Sequence, residues 1–271
     1  MLKERVITAI VLLLSFAAIL SFSSNSVFAL VVSFIVAVAA WEWSRLCGVT
    51  NEHMQTAYAC LVGAVALIVL YTPLVHTAVT WALLAGLLFW LCVPVQFYMR
   101  PVLPAVTAPN LMWLLTGLLV LVVAAVSIQY LRSYAPSHSS WLLLYAMSVV
   151  WVMDVGAYFS GRTFGKVKLA PLISPGKSWE GVYGGLAASA LLFILVLLFG
   201  QWPEGTAFKL FVATVFAAAA SVLGDLFESR LKRAAGIKDS SQLLPGHGGV
   251  LDRIDGVIAA LPIFAFFWAW M

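Results

Sequence analysis

The sequence predicts an all-α, polytopic integral membrane protein with about nine transmembrane helices and a cytoplasmic N-terminus. Three observations carry this. Of the 271 residues, 63% are hydrophobic and 10% are charged, where soluble domains average ~45–50% and ~25%. Mean hydropathy is +1.03. Apolar runs long enough to cross a hydrocarbon core of ~30 Å recur along the whole chain. This balance excludes a disordered chain, a nucleic-acid-binding domain and an ordinary water-soluble enzyme. The formal charge of +4 and the pI of about 9.0 read as membrane topology, because cytoplasmic loops collect Lys and Arg. The 11 Trp suit interfacial aromatic belts.

The spans are taken in order. The N-terminal Met-Leu-Lys-Glu-Arg followed by Val6 to Leu20 imitates a secretory leader, but no Ala-x-Ala site follows, so it is expected to stay as the first helix. Apolar runs then occupy 6–22, 27–44, 55–72, 77–97, 111–131, 140–160, 182–200, 206–224 and 254–271. Many contain Gly, Ala and Ser, which let helices pack closely in lipid. Pro94, Pro101, Pro104 and Pro109 crowd one connection and soften its boundaries. No internal repeat and no inverted symmetry of the transporter kind is visible. Cys47, Cys60 and Cys92 are too few and too scattered for a disulfide framework or a zinc site, and read as small apolar residues.

Orientation follows from charge. With the N-terminus inside, Lys3, Arg5, Arg45, Arg100, Arg162, Lys166, Lys168, Lys177, Arg230, Lys232, Arg233, Lys238 and Arg253 fall on the cytoplasmic side, against Arg132 and Lys209 on the other. That 13-to-2 division of all 15 bases fixes the choice. Two long polar connections, 161–181 and 225–253, lie on the cytoplasmic side. Residues 1–135 therefore read as an N-terminal set of helices for scaffold, dimer contacts and lipid access. Residues 136–271 read as the catalytic region.

The chain has 11 acids, so each is informative. Asp154 lies inside an apolar run and Asp225 ends another, where a carboxylate costs ~2.5–3.5 kcal/mol even on lenient insertion scales. Each either snorkels or faces a polar cavity, binding a cation or pairing with a base. Asp252 and Asp255, at i and i+3 of a helix start, either cap that helix or offer oxygens to a hard cation such as Mg²⁺. Pro245-Gly-His-Gly-Gly249 is a glycine-rich stretch whose N–H groups can converge on an anion, with His247 a donor or acid within it. His53, His76 and His138 read as structural. Arg230, Lys232, Arg233 and Lys238 are either topology signals or the basic complement to a polyphosphate. Gly176-Lys177-Ser178 imitates the end of a phosphate-binding Walker loop, but residue 171 is Pro where the first Gly belongs. Ser174, Lys177 and Ser178 remain suited to phosphate, and Glu180 opens the next helix. Two polar loops suited to Mg²⁺ and phosphates, at headgroup depth, point to chemistry between a soluble polyphosphate and a phosphorylated lipid.

Residues 229–255 run Ser-Arg-Leu-Lys-Arg-Ala-Ala-Gly-Ile-Lys-Asp-Ser-Ser-Gln-Leu-Leu-Pro-Gly-His-Gly-Gly-Val-Leu-Asp-Arg-Ile-Asp. This resembles the signature of the phosphatidate cytidylyltransferases (CDP-diacylglycerol synthases): Ser-x-apolar-Lys-Arg, four residues, Lys-Asp, a spacer, then His-Gly-Gly-apolar-x-Asp-Arg-apolar-Asp. Asp154-Val-Gly-Ala-Tyr-Phe-Ser-Gly-Arg162 and Ser174-Pro-Gly-Lys-Ser-Trp-Glu-Gly181 also resemble that family, apart from Gly176, where the family commonly has Lys. The motifs cover about 150–271; the N-terminal half matches only as membrane spans. The resemblance implies the reaction CTP + phosphatidate → CDP-diacylglycerol + pyrophosphate. It implies a metal held by Asp225, Asp252 and Asp255, and phosphates held by Lys177, Lys232, Arg233, Lys238 and Arg253. Ser174, Ser178 and His247 would contact or orient substrate, with Gly248 and Gly249 in the same loop and Asp154 and Glu180 as further candidates. Mg²⁺, with K⁺ beside it, a homodimer in the cell inner membrane, an active site facing the cytoplasm and no nucleic-acid partner complete the expectation. A phosphatidyltransferase is disfavoured, because residue 260 is Ala where its motif has Arg. A CTP-dependent polyprenol or phytol kinase fits the signature less completely, and a transporter leaves the basic glycine-containing loop unexplained.

Overall fold

The computed structural model describes residues 2–72, 75–133, 140–200, 202 and 205–271, with side chains described outside 2–9, 12 and 75–78. His138 and the side chain of His76 lie outside the described residues. Ten helices and one hairpin follow in order: α1 Leu2–Phe22, α2 Asn25–Leu46, α3 Glu52–Tyr71, α4 Val75–Met99, α5 Leu111–Ser133, α6 Trp141–Phe164, β1 Lys168–Ala170, β2 Ser174–Ser178, α7 Trp179–Phe199, α8 Thr206–Ala234, α9 Leu251–Ile254 and α10 Val257–Trp270. Among the described residues eight segments are long and apolar enough to cross a membrane, and α9 with α10 makes one of them, Leu251–Trp270. Helix α1 adds a ninth apolar helix. The protein is therefore a multi-pass, nearly all-helical membrane protein, as its composition requires.

Polar side chains start the helices where the sequence places them. Ser24 accepts from Val27 N at 3.2 Å at the head of α2, and Asn51 accepts from His53 N at 2.9 Å at the head of α3. The bundle has two distinct ends. At one, Arg132 of α5 donates to the Ser23 and Ser24 carbonyls between α1 and α2, with its guanidinium 4.2 Å from the Phe28 ring centre. Lys209 stands over Trp268 at the same end. At the other end Arg45 of α2 donates to Ser240 O at 2.9 Å, Arg230 of α8 donates to the Arg100 carbonyl, and Val106 N donates to Ala234 O at 2.9 Å. Arg132 and Lys209 thus share one end and the motif residues the other, the division that charge counting predicts.

Helix α10 is the axis of the bundle. Every residue from Val257 to Ala265 is buried, against α4, α5, α6 and α8. Helices α6 and α7 lie backbone to backbone because glycines face each other: a Cβ on Gly156 would stand 2.7 Å from the Ala188 Cβ and 3.0 Å from Gly184 O.

Two boundaries differ from the sequence expectation. The connection expected at 225–253 begins later, because α8 continues to Ala234. Leu226, Phe227, Leu231 and Ala234 keep one face apolar and buried, and Phe227 sits among the rings of Trp43, Phe89, Trp90 and Trp113. The helix stops at Gly236 (φ +71°), where Gly236 N bonds Arg233 O and Ile237 N bonds Lys232 O. The connection expected at 161–181 is shorter too, and folds as the β1–β2 hairpin, with Lys168 opposite Ser178 and Ala170 opposite Ser174. Phe227→Ala is expected to cost about 3–5 kcal/mol, read as a lowered unfolding temperature of the detergent-solubilised protein; an unchanged temperature would show that the aromatic cluster does not hold α8 in place.

Candidate active site

The polar residues converge where α6, the β1–β2 hairpin, α8 and α9 meet. Lys177, on β2, forms an ion pair with Asp225 of α8, and both side chains are partly exposed, at 26% and 32%. Asp225 also accepts from Ser229 Oγ at 3.2 Å, one helical turn on. Asp255, between α9 and α10, accepts from Gly256 N at 2.7 Å and lies within electrostatic reach of Asp225, Lys177 and Lys232. Asp154 is exposed on α6, with Lys177, Asp225 and Arg253 as its charged neighbours. It lies ten residues before the end of α6, a depth of ~15 Å at 1.5 Å per residue. The site is therefore a cleft of mixed charge let into the end of an apolar bundle. Gly224 sets its floor, because a Cβ there would stand 2.9 Å from the Ala259 Cβ and collide with the Asp255 carbonyl.

Behind this cleft sits a second, buried layer. Lys232 of α8 donates to Glu228 at 2.8 Å and to Asp252 Oδ1 at 2.6 Å. Asp252 Oδ2 accepts from Ser240 N at 2.9 Å, Ser240 Oγ at 2.9 Å and Gly249 N at 2.8 Å. One carboxylate thus ties the loop between α8 and α9 to α8. This loop needs its glycines: Gly248 has φ +83°, and a Cβ there would stand 2.8 Å from Asp252 Oδ2. Glu228 is fully buried, and its Oε1 has no hydrogen-bond partner among the described residues.

The other expected residues take separate places. His247 is half-buried, with Nδ1 3.5 Å from Pro245 O and its carbonyl accepting from Arg253 Nε at 2.9 Å. Arg233 is exposed and donates to Ile173 O of the hairpin connection at 3.2 Å, while Lys238 is exposed. Ser174 is half-buried at the start of β2. Ser178 is buried and caps α7 through Gly181 N at 3.2 Å. Glu180 accepts from Val167 N at 3.2 Å. The structure uses Ser178 and Glu180 to fasten the hairpin to α7 and thereby to place Lys177. Among the described residues no three His, Cys, Asp or Glu side chains form a ready metal cage.

One residue escapes the sequence reading. Glu42 of α2 is fully buried, and its carboxylate accepts from Ser240 Oγ at 3.2 Å, Ser241 Oγ at 2.5 Å, Val250 N at 3.0 Å and Leu251 N at 2.5 Å. The criterion that singles out Asp154, an acid inside an apolar run, also applies to Glu42 within 27–44. Cys47, next to it in the loop after α2, is buried, and burial pushes its thiol up to about 12. That agrees with the apolar role expected for it.

Known proteins match this chain, two of them over nearly its whole length. The phosphatidate cytidylyltransferase of Pseudomonas aeruginosa is 42% identical over 265 residues, covering 98% of this chain and 96% of that protein. That of Haemophilus influenzae is 38% identical over 292 aligned positions, covering 99% of each. That of Staphylococcus haemolyticus is 44% identical over 142 residues, 52% of this chain and 54% of that protein. The model of the cytidylyltransferase family matches residues 3–271. The resemblance seen in the motifs of the C-terminal half thus extends through the N-terminal helices, and the chain belongs to the cytidylyltransferase family.

Proposed function

We propose that this chain transfers the cytidylyl group of CTP to phosphatidate, releasing pyrophosphate and forming CDP-diacylglycerol. The observation that carries this is the Lys177–Asp225 pair, set in a charged cleft at the end of an otherwise apolar bundle. A soluble nucleotide and a lipid phosphate need such a place to meet. The relatives named above carry this activity in their names. In the step itself a phosphatidate oxygen attacks the α-phosphorus of CTP, the bond from that phosphorus to the bridging oxygen breaks, and the electron pair leaves with pyrophosphate. A phosphate monoester is already largely ionised near neutral pH, so no strong general base is required. Positioning and charge stabilisation are what the protein must supply.

Lys177 holds the phosphate that gains charge, the exposed Arg253 and Lys238 offer further positive charge to a polyphosphate, and Lys232 neutralises Glu228 and Asp252. The donor set fits a magnesium ion. Mg²⁺ takes one or two carboxylates and completes its shell with water and substrate phosphate, and Asp225 and Asp255, within electrostatic reach of each other, would offer such oxygens. Asp252 joins them only by releasing Lys232 or the loop. Bound there, the ion would polarise the phosphates and neutralise the pyrophosphate as it leaves. Glu228 Oε1, without a hydrogen-bond partner among the described residues, would offer an oxygen to the accompanying potassium. The reading also includes an inner-membrane location with the cleft on the cytoplasmic side, supported by the 13-to-2 division of bases, and a homodimer, supported by the family resemblance.

Purified protein is expected to release pyrophosphate from CTP only when phosphatidate and Mg²⁺ are both present. Equal release with ATP, or with polyprenol in place of phosphatidate, would contradict the assignment.

A further inference from the structure

We propose that Glu42 is a positioning residue of the active site, through which the N-terminal half of the chain fixes the shape of the loop from Ser240 to Leu251. Glu42 is fully buried on α2, an apolar helix, at a point where an unpaired carboxylate would not be tolerated. It is satisfied by four donors, and all four belong to this one loop: the Ser240 and Ser241 hydroxyls and the backbone N–H groups of Val250 and Leu251. Each carboxylate oxygen accepts two of them. The carboxylate thus draws both ends of the loop together, 198 to 209 residues along the chain from itself.

The connection to the chemistry is short. Ser240 Oγ lies 3.2 Å from Glu42 Oε2 and 2.9 Å from Asp252 Oδ2, so one hydroxyl stands between the two carboxylates. Asp252 in turn holds Lys232. Gly249 is wedged against Glu42, where a Cβ would stand 2.6 Å from Oε1. On α2 itself Arg45 adds a bond to Ser240 O at 2.9 Å. A carboxylate is required and an amide is not equivalent: in either orientation glutamine would turn its NH2 toward one serine hydroxyl, which can accept, and one backbone N–H, of Val250 or Leu251, which cannot.

This inference rests on the reading that the loop serves cytidylyl transfer, and the test separates the two. Glu42→Gln would be made in the full-length protein, with amide hydrogen exchange and steady-state kinetics measured on the same preparation. Exchange at Val250 and Leu251 is expected to rise at least tenfold with α5 and α7 unchanged, and kcat/KM for CTP to fall at least tenfold. Unchanged exchange at the two amides would overturn the anchor, whatever the enzyme does. Raised exchange with wild-type kcat/KM would overturn the positioning role. Failure of the unmutated protein to turn over CTP would instead count against the proposed reaction and leave the exchange result to decide the anchor. Should Glu42→Gln not fold, Ser241→Ala removes one of the four donors. It is expected to give the same two changes at a few-fold level, and unchanged exchange there would overturn the proposal equally.

Discussion

Replacing Lys177 by alanine is expected to lower turnover at saturating CTP by about 10²–10³-fold, the usual cost of removing one preorganised donor from developing charge. Lys177 is carried on β2 and paired with Asp225, and both side chains are partly exposed. Its loss acts twice, by withdrawing a positive charge from the phosphates and by leaving Asp225 facing them uncompensated. Lys177→Arg keeps the charge but replaces a compact ammonium with a planar fork, so partial recovery is expected. Near-normal turnover of Lys177→Ala, measured as pyrophosphate release, would remove Lys177 from the site.

The second large effect is expected from Asp252→Asn, for a different reason. Asp252 makes four hydrogen bonds, one to Lys232 and three to the loop. Asparagine keeps the size of the side chain but loses the charge opposite Lys232, and one of its two positions turns from acceptor to donor. The loop bearing His247, Gly248 and Gly249 is then free to shift. A misplacement of about 1 Å costs about 100-fold in rate. Turnover is expected to fall by that order while the protein still inserts and folds, checked by size-exclusion behaviour in detergent beside the activity assay. A normal rate would show that the clamp is dispensable.

Much of this was legible in the sequence because hydropathy and charge are one-dimensional signals. Nine apolar runs became nine helical segments, and the sorting of Arg132 and Lys209 away from the other bases reappears as the two ends of the bundle. Polar residues obscured the helix ends. The run of Asp225, Glu228, Arg230, Lys232 and Arg233 reads as a loop, yet these residues lie on α8, because Leu226, Phe227, Leu231 and Ala234 supply a buried face between them. The hairpin was hidden for a related reason: three- and five-residue strands containing Pro and Gly carry no periodic pattern. Within the site, Lys177 and Asp225 are 48 positions apart in the numbering, and their pairing is a property of the fold alone. Glu42 lies further still from its partners, so its role in the loop was invisible until α2 was placed beside α9. The sequence named residue types suited to phosphate and metal; the structure gathers Asp225, Asp255 and Asp154 within electrostatic reach of Lys177 and uses Lys232, Asp252, Ser178 and Glu180 to hold the surrounding loop and hairpin.

The central claim is that the nucleotide, not its terminal phosphate, ends up on the lipid. The most direct measurement uses CTP labelled at the α-phosphorus and, separately, at the γ-phosphorus, with phosphatidate and Mg²⁺, followed by extraction of the lipid. Label from the α-position is expected in the lipid fraction as CDP-diacylglycerol, with the γ-label remaining in water as pyrophosphate. Transfer of the γ-label to lipid, with the α-label left behind in CDP, would make the protein a lipid kinase and contradict the account.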